Sequence, residues 1–253
     1  MIRAHVLGRV GVTGPAGSFE QRDLPGLQGA ALVALLVIER RPLGREAVAD
    51  VLWNGAPPAG WVSGLNSLLS KTRAQLDRAG IPRGVLISAG GTLEAALPAG
   101  SWVDMEAAAR ELDRAVAAHR DGRSDVVLPA ATTAWAILRR PFLVGFDSPW
   151  ADEQRRHLAA QFAVAAELLA EAYLDHGDAR LALSIGESAI AAEGLRESAH
   201  RLVMRAHLAS GNRALAVRAF ERCAATLRTE LGVEPSADTI AVLRASTPDP
   251  PVG

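Results

Sequence analysis

The chain has 253 residues, of which 49% are hydrophobic and 22% are charged, and these values exclude a mainly disordered protein. With 27 basic against 28 acidic side chains the formal net charge is −1, so a nucleic-acid or membrane partner would have to meet a local patch. The single cysteine excludes an internal disulfide bond and a cysteine-based zinc site.

Hydropathy also bears on where the protein works. The longest unbroken apolar run, residues 30–38, is about half as long as the ~20 residues that a membrane span requires. No basic-then-apolar signal segment opens the sequence. We therefore expect a reduced, cytoplasmic protein with no membrane partner.

Strand and helix patterns succeed each other in the first hundred residues. They predict two strands, three helices and a hairpin, over residues 1–13, 19–22, 24–40, 45–53, 59–78 and 85–97. Gly14-Pro15 predicts a turn after the first strand, and Gly90-Gly91 predicts the turn of the hairpin. This order is typical of a winged helix-turn-helix with an N-terminal sheet, in which the third helix enters the major groove of DNA.

The third predicted helix has two unlike faces. At 100° per residue, one direction collects an apolar stripe of Leu65, Leu68, Leu69, Thr72 and Leu76. The opposite face and its borders carry small, polar and basic side chains, namely Ser63, Asn66, Ser67, Ser70, Lys71, Arg73 and Ala74. Such a face is compatible with contacts to base edges and phosphates. A solvated face, or a helix-packing face rich in small residues, is the alternative interpretation.

From Val103 onward the pattern is helical and contains a repeat. His176-Gly177-Asp178 and Ser210-Gly211-Asn212 lie 34 residues apart, and Ala182 and Ala216 match at the same offset. This is the period of tetratricopeptide helical hairpins, in which small residues let paired helices approach closely. The sequence therefore predicts stacked helical hairpins in the second half.

Together these patterns predict an α+β N-terminal winged helix-turn-helix followed by an all-α tetratricopeptide-like helical domain. We predict the limits 1–102 for the winged helix, 103–247 for the helical domain and 248–253 for a disordered tail. Ten basic against seven acidic side chains give residues 1–103 a net charge of +3, which leaves −4 for the rest. A mildly basic head on an acidic body fits a DNA-binding domain joined to a protein-binding domain.

Several segments of the chain carry a family resemblance. They are residues 45–53, 57–58, 65–73, Trp135, 147–155 and the closing element Glu230-Leu231-Gly232-Val233-Glu234-Pro235-Ser236. Over about 245 residues the chain resembles the Streptomyces antibiotic regulatory protein (SARP) class of transcriptional activators, in which a winged helix-turn-helix precedes a bacterial transcriptional activator domain. The resemblance implies binding to repeats in double-stranded promoter DNA. It also implies contact with RNA polymerase holoenzyme or a second protomer (a homodimer), and activation of a specialised-metabolite gene cluster, as in antibiotic biosynthesis.

The chain departs from the pattern of that class within the winged helix. Val62 and Ser63 stand where a basic residue and an asparagine usually begin the recognition helix, and Gly44 stands where a Ser or Thr usually caps the second helix. Further departures are Thr72 at an apolar position, Ala74 at a basic position and Leu93 at the position of the wing tyrosine.

Two functions remain open. In a transcriptional activator, we expect Ser63, Asn66, Ser67 and Ser70 near base edges, Arg45, Lys71 and Arg73 on phosphates, and the Gly90-Gly91 wing beside the minor groove. The alternative is a protein-interaction module whose degenerate winged helix no longer binds DNA. The cation count on the third helix, at two, is intermediate between these functions.

Catalytic and cofactor motifs find little support. Gly8, Gly11 and Gly14 resemble a dinucleotide loop, but Pro15 follows instead of a helix, which favours a turn between strands. His200 and His207 have no Cys or acidic partner nearby and are interpreted as surface histidines, and Cys223 as a small packed residue. No Gly-Lys pair, triad or carboxylate pair is present. The sequence therefore predicts no enzyme, no catalytic or metal-binding residue and no cofactor.

Overall fold

The computed structural model describes residues 1–244, so the predicted tail at 248–253 lies outside the described residues. The chain forms two compact units. One combines Met1–Ala107 with Ile137–His157, and the other combines Ala108–Ala136 with residues 158–244. Residues 137–157 thus pack within the first unit, although the sequence assigned them to the helical domain. The domain limits drawn from the sequence stay a prediction.

Ten helices and seven strands occur in residues 1–244. The strands are β1 Arg3–His5, β2 Gly11–Thr13, β3 Ser18–Glu20, β4 Leu43–Gly44, β5 Leu86–Ala89, β6 Thr92–Ala95 and β7 Trp102–Val103. The helices are α1 Gly26–Glu39, α2 Arg45–Leu52, α3 Trp61–Arg78, α4 Asp104–Arg120, α5 Ser124–Leu138, α6 Pro149–Asp175, α7 Ala179–Ala192, α8 Glu197–Ala209, α9 Arg213–Leu231 and α10 Ala237–Arg244. A winged helix-turn-helix followed by stacked helical hairpins is therefore confirmed.

The strands of the first unit form two sheets. The first is four-stranded, in the order β3-β2-β1-β7, and β7 runs parallel to β1. The second is three-stranded, in the order β4-β6-β5, with antiparallel pairs throughout. Helix α1 lies at the centre of this unit, and its residues from Gly29 to Val37 are all buried. A helix that is apolar on every side is typical of such a position.

The single strand predicted over residues 1–13 is wrong, because the chain bends there and forms two strands. Gly8 has a φ of +81°, a conformation that costs glycine little, and its N–H donates to the Pro141 carbonyl at 2.7 Å. Beyond the bend β2 returns along β1, with Ala4 opposite Val12. Alternating hydrophobicity could not reveal the bend, since both arms of a hairpin keep the same period of two. The glycine series therefore lies in a strand hairpin and not in a dinucleotide loop.

Asp104 stabilises this bend from inside the unit. Its buried carboxylate accepts hydrogen bonds from the backbone N–H groups of Val6 and Leu7, both at 3.0 Å, and from that of Met105 at 2.9 Å. A buried charge is tolerated only when hydrogen bonds replace its water. The carboxylate also lies at the first residue of α4, where the helix dipole favours a negative charge. Asp104 thus ties the N-terminal sheet to the start of α4.

Trp150 attaches residues 137–157 to the end of α1, and Arg155 holds the loop 142–146 within that segment. The indole N–H of Trp150 donates to the Glu39 carboxylate at 3.1 Å, at the end of α1. The guanidinium of Arg155 donates to three carbonyl groups of the loop 142–146, at 2.6 to 3.2 Å. These bonds satisfy backbone acceptors that no regular element pairs.

The second unit has the repeat that the sequence predicted. Helices α7, α8 and α9 pack in succession, and Gly177 and Gly211 occupy equivalent turns with φ of +79° and +74°. Ala182 and Ala216, which match at the offset of 34, are both fully buried. Cys223 is also fully buried, and burial raises the pKa of its thiol to about 11. The thiol is therefore protonated at neutral pH, which agrees with a packed residue.

His200 is buried, so its interpretation as a surface histidine is wrong. The residue is 1% exposed, and its Nε2 lies 2.9 Å from the Gly194 carbonyl oxygen. Its Nδ1 has no hydrogen-bond partner in residues 1–244. Burial lowers the pKa of the imidazole, because the charged ring would lose its hydration. Helix α8 packs between α7 and α9, and this tertiary packing covers a side chain that a single sequence could not place.

We predict that Asp104→Asn lowers the free energy of unfolding by about 2–4 kcal/mol, because an amide is a weaker acceptor and presents its own donors to buried N–H groups. Urea unfolding followed by circular dichroism measures the change. Asp113→Asn, which alters an exposed carboxylate of the same helix, is the control. Equal stability of the two variants would contradict the role given to Asp104.

We predict that stability falls as the pH drops below about 6.5, the usual pKa of histidine in an unfolded chain. Because the folded-state pKa of His200 is lowered, the unfolded chain takes up the proton first. The stability due to neutral His200 is present above that pKa and is lost below it. Urea midpoints between pH 7.5 and 5.5 measure the effect, and His200→Gln should flatten the profile while His207→Gln should not. Parallel profiles for wild type and His200→Gln would disprove the prediction.

Candidate nucleic-acid interface

Helix α3 is held in the first unit by the apolar stripe that its sequence predicted. The buried residues of α3 are Leu65, Leu68, Leu69, Thr72 and Leu76, as expected. Burying one leucine side chain contributes ~1.5–3 kcal/mol, so the four leucines fix the rotation of the helix about its axis. The opposite face is thereby directed outward.

That outward face is lined by hydroxyl groups. Ser63, Ser67 and Ser70 are exposed, and their side chains form no hydrogen bond with another residue of the described chain. The spacings of four and three residues place the three serines in one line along the helix. A hydroxyl can donate or accept, so this line offers hydrogen bonds to base edges or to the DNA backbone.

Lys71 and Arg73, two of the three cations of α3, have different surroundings. Lys71 is exposed and makes no hydrogen bond or ion pair within residues 1–244. Arg73 is half-buried, and its Nη2 donates to the Leu86 carbonyl at 3.4 Å, which directs the guanidinium toward β5. Lys71 is therefore a free charge for a phosphate, while Arg73 keeps further N–H donors beside the wing.

Arg45 brings three parts of the candidate interface together. Its Nη2 donates to Asn66 Oδ1 at 2.5 Å, and its Nη1 donates to Ser88 Oγ at 3.4 Å. Its backbone N–H donates to the Gly91 carbonyl at 3.1 Å. Arg45 thus connects the first residue of α2 with α3 and with the wing. The phosphate contact expected for Arg45 stays a prediction.

The wing is the hairpin of β5 and β6. Gly90 and Gly91 at its tip have φ values of +58° and +77°, as a two-residue type I′ turn requires. No atom would crowd a Cβ at either position, so backbone conformation and not space calls for glycine there. Leu93 is fully buried, which accounts for an apolar residue at the position of the family's wing tyrosine. The exposed glycine tip could approach a DNA groove closely.

Sequence reasoning missed β4 and Ser88. Strand β4 pairs with β6, with Gly44 opposite Thr92, and this pairing places Arg45 next to the wing turn. A strand of two residues is too short to show a period, so no sequence pattern could have found it. Ser88 is an exposed residue of β5 although it shares a strand face with the buried Leu86, so strand alternation indicates neither its exposure nor its contact with Arg45.

Thr72 departs from the apolar pattern of α3 at a structural cost. The residue is 3% exposed, and its Oγ1 has no hydrogen-bond partner in the described chain. It lines a small apolar cavity together with Leu36, Leu76 and Val85. A buried hydroxyl without a partner costs ~1–3 kcal/mol.

Residues 1–244 contain neither a metal-binding cluster nor a membrane-spanning helix. Nowhere in this part of the chain do three or more His, Cys, Asp or Glu side chains come together in a group that could hold a metal ion. None of the described helices combines the length and the apolar character that crossing a bilayer demands.

The first unit is a winged helix-turn-helix whose third helix faces outward, and stacked helical hairpins follow it along the chain. This combination defines a class of two-part regulators. The family model of the bacterial transcriptional activator domain matches residues 103–245, more than half of the chain. The chain therefore belongs to the bacterial transcriptional activator domain family, and it has the two-part plan of the SARP type. This is a family of transcriptional regulators and not of enzymes.

Two relatives match most of the chain. The regulatory protein AfsR of Streptomyces coelicolor is 30% identical over 238 residues, which are 90% of this chain and 23% of AfsR. The transcriptional regulatory protein EmbR of Mycobacterium tuberculosis is 29% identical over 227 residues, 87% of this chain and 55% of EmbR. The chain thus spans about a quarter of the length of one relative and about half of the other.

A solved structure matches the fold over almost the whole chain. The structure of Mycobacterium tuberculosis EmbR in complex with a low-affinity phosphopeptide superimposes with a TM-score of 0.82 at 25% sequence identity. The match covers 97% of this chain and 64% of that one. The order of winged helix and helical domain is therefore shared with a known regulator.

We predict that Thr72→Val raises the free energy of unfolding by about 1 kcal/mol, because valine has the same shape and leaves no polar atom unpaired. Urea unfolding measures the change. Thr72→Ser keeps the hydroxyl and removes the methyl group, so it should lower stability. Loss of stability in Thr72→Val would mean that the hydroxyl has a partner, such as a buried water molecule.

Proposed function

We propose that the protein is a transcriptional activator that binds double-stranded promoter DNA through α3 and the wing. The observation that carries this proposal is the outward face of α3, with its line of free hydroxyls and the unpaired Lys71. In a winged helix-turn-helix this is the face that enters the major groove. Family membership supports the same function.

Every predicted site residue except Arg45, whose guanidinium bonds Asn66 and Ser88, contacts DNA in this proposal. The base-reading residues are Ser63, Asn66, Ser67 and Ser70, and the phosphate-binding residues are Lys71 and Arg73. The tip at Gly90-Gly91 lies beside the minor groove. The helical domain contacts RNA polymerase holoenzyme or a second protomer, and the regulated genes form a specialised-metabolite cluster. We also retain the limits 1–102 and 103–247 for the two domains.

The small number of cations favours one competing function. On α3 only Lys71 is unpaired within the described chain, because the guanidinium of Arg73 donates to a backbone carbonyl of β5. Few phosphate contacts predict weak, weakly salt-dependent binding. This observation supports the second candidate, a protein-interaction module that uses the winged helix as a packing unit without binding DNA.

We predict that the double variant Lys71→Gln with Arg73→Gln abolishes the mobility shift of promoter DNA upstream of the neighbouring genes. Each lost phosphate contact lowers the salt slope of binding by ~0.9 unit, so any binding that survives at the lowest salt concentration should have a slope lower by about 1.8. Circular dichroism should show an unchanged helix content. The measurement is a titration by gel shift at several salt concentrations, beginning at low salt.

The matched control removes two cations elsewhere on the first unit. Arg3 and Arg9 are exposed residues of the N-terminal sheet region, and their double replacement by Gln changes the net charge equally. This control should still shift the DNA. If both double variants lose binding equally, the effect is one of total charge and not of α3. If wild type shifts no fragment at low salt, the interaction module is the better proposal.

A further inference from the structure

Arg45 makes contacts that bear on which base the candidate interface reads. We infer that Arg45 is a positioning residue for sequence specificity: by bonding Oδ1 of Asn66, it weakens that oxygen as an acceptor and leaves the amide N–H groups free, so that Asn66 favours guanine over adenine. The inference rests on the proposed function, since it requires α3 to enter the major groove.

The chemistry of the pair fixes which atom of Asn66 is engaged. A guanidinium has five N–H donors and no acceptor, so only the carbonyl oxygen of the amide can face Arg45 Nη2. The contact of 2.5 Å is a short hydrogen bond to a charged donor. The amide Nδ2 of Asn66 forms no hydrogen bond with another residue of the described chain and remains available for a base.

Arg45 is held in place before any DNA arrives. Its backbone N–H donates to the Gly91 carbonyl, and its Nη1 donates to Ser88 Oγ. The wing therefore holds both the backbone and the side chain of Arg45. The side chain is half-buried. Rotation of the guanidinium toward a phosphate would break its bonds to α3 and to the wing. The contact with Asn66 is therefore a built feature of the interface.

The base edges respond differently to an amide whose oxygen already accepts from a guanidinium. Adenine is read by asparagine through two bonds, in which the amide nitrogen donates to N7 and the amide oxygen accepts from N6. One lone pair of Oδ1 stays free, but with a guanidinium on the other the oxygen is a weaker acceptor, and the neighbouring cation repels the N6 donor of adenine. Guanine presents two acceptors, N7 and O6, which suit the free amide hydrogens.

The neighbours of Asn66 do not supply this discrimination. Ser63, Ser67 and Ser70 carry hydroxyls that can donate or accept, so they tolerate either purine. The choice of base at one position therefore depends on how well the amide oxygen of Asn66 can accept a hydrogen bond, which Arg45 controls.

The experiment selects bound sequences from a randomised duplex library with the full chain and compares variants by sequencing. Asn66→Ala identifies the position that Asn66 reads, because the preference at that position alone should flatten. At that position wild type should prefer guanine. In Arg45→Met the freed oxygen should restore pairing with adenine, which moves the guanine-to-adenine ratio about 5- to 100-fold toward adenine.

Matched variants separate positioning from charge. Arg45→Lys keeps a cation and a donor and should retain part of the guanine preference. Arg41→Met removes an exposed cation of the same segment and should leave the preference unchanged. The salt slope of Arg45→Met should equal that of wild type, whereas a phosphate contact would lower the slope by ~0.9. Circular dichroism checks folding, and Arg45→Gln serves as a second variant if Arg45→Met does not fold.

The outcomes distinguish this inference from the proposed function. If wild type enriches a sequence and Arg45→Met keeps the same guanine preference, the inference is overturned while the proposed function stands. If the salt slope of binding falls in Arg45→Met while the base preference stays unchanged, the inference is also overturned. Arg45 is then assigned to a phosphate contact. Binding without any sequence preference also overturns it, because Asn66 then reads no base. If wild type retains no DNA at low salt, the proposed function fails and the inference fails with it.

Discussion

Burial of the leucine stripe on α3 sets the geometry on which the candidate interface depends. Four buried leucines contribute ~6–12 kcal/mol before the entropy of folding is counted, which is comparable with the net stability of a whole domain. Rotating the helix to bury its serines would lose this contribution. The hydroxyl face therefore points outward because of the core, whatever it binds. Exposure of this face is thus necessary for contact with DNA bases, and the polar and charged groups on it decide whether DNA binds.

The position of the wing relative to α3 depends on a second set of contacts around the start of α2. Gly44 provides no side-chain cap for this helix, and the first N–H of α2 is satisfied by the Gly91 carbonyl of the wing turn. The missing capping hydroxyl is thus replaced by a bond that also fixes the wing. Arg45, whose N–H makes that bond, extends its side chain to Asn66. One residue therefore couples helix capping, wing position and the orientation of the Asn66 side chain.

The second unit is stabilised on a different principle, the close approach of helices through small residues. Ala182, Ala189, Ala216 and Cys223 are fully buried at matching places of two hairpins. Small side chains at such places allow neighbouring helices to pack closely, as in other helical repeats. The same packing encloses His200, whose ring hydrogen-bonds the Gly194 carbonyl. The small residues thus determine how closely α7, α8 and α9 pack.

The sequence by itself determined the features that repeat along the chain. The period of 3.6 gave the buried and exposed residues of α3, from Leu65 to Leu76, and the offset of 34 gave the helical hairpins. Only the tertiary structure decided the bend at Gly8, the pairing of β4 with β6, the burial of His200 and the contact between Arg45 and Asn66. Each of these depends on residues far apart in the chain or on an element too short to have a period. Local patterns are set by neighbouring residues, whereas the orientation of one polar side chain is set by the partners that the fold brings to it.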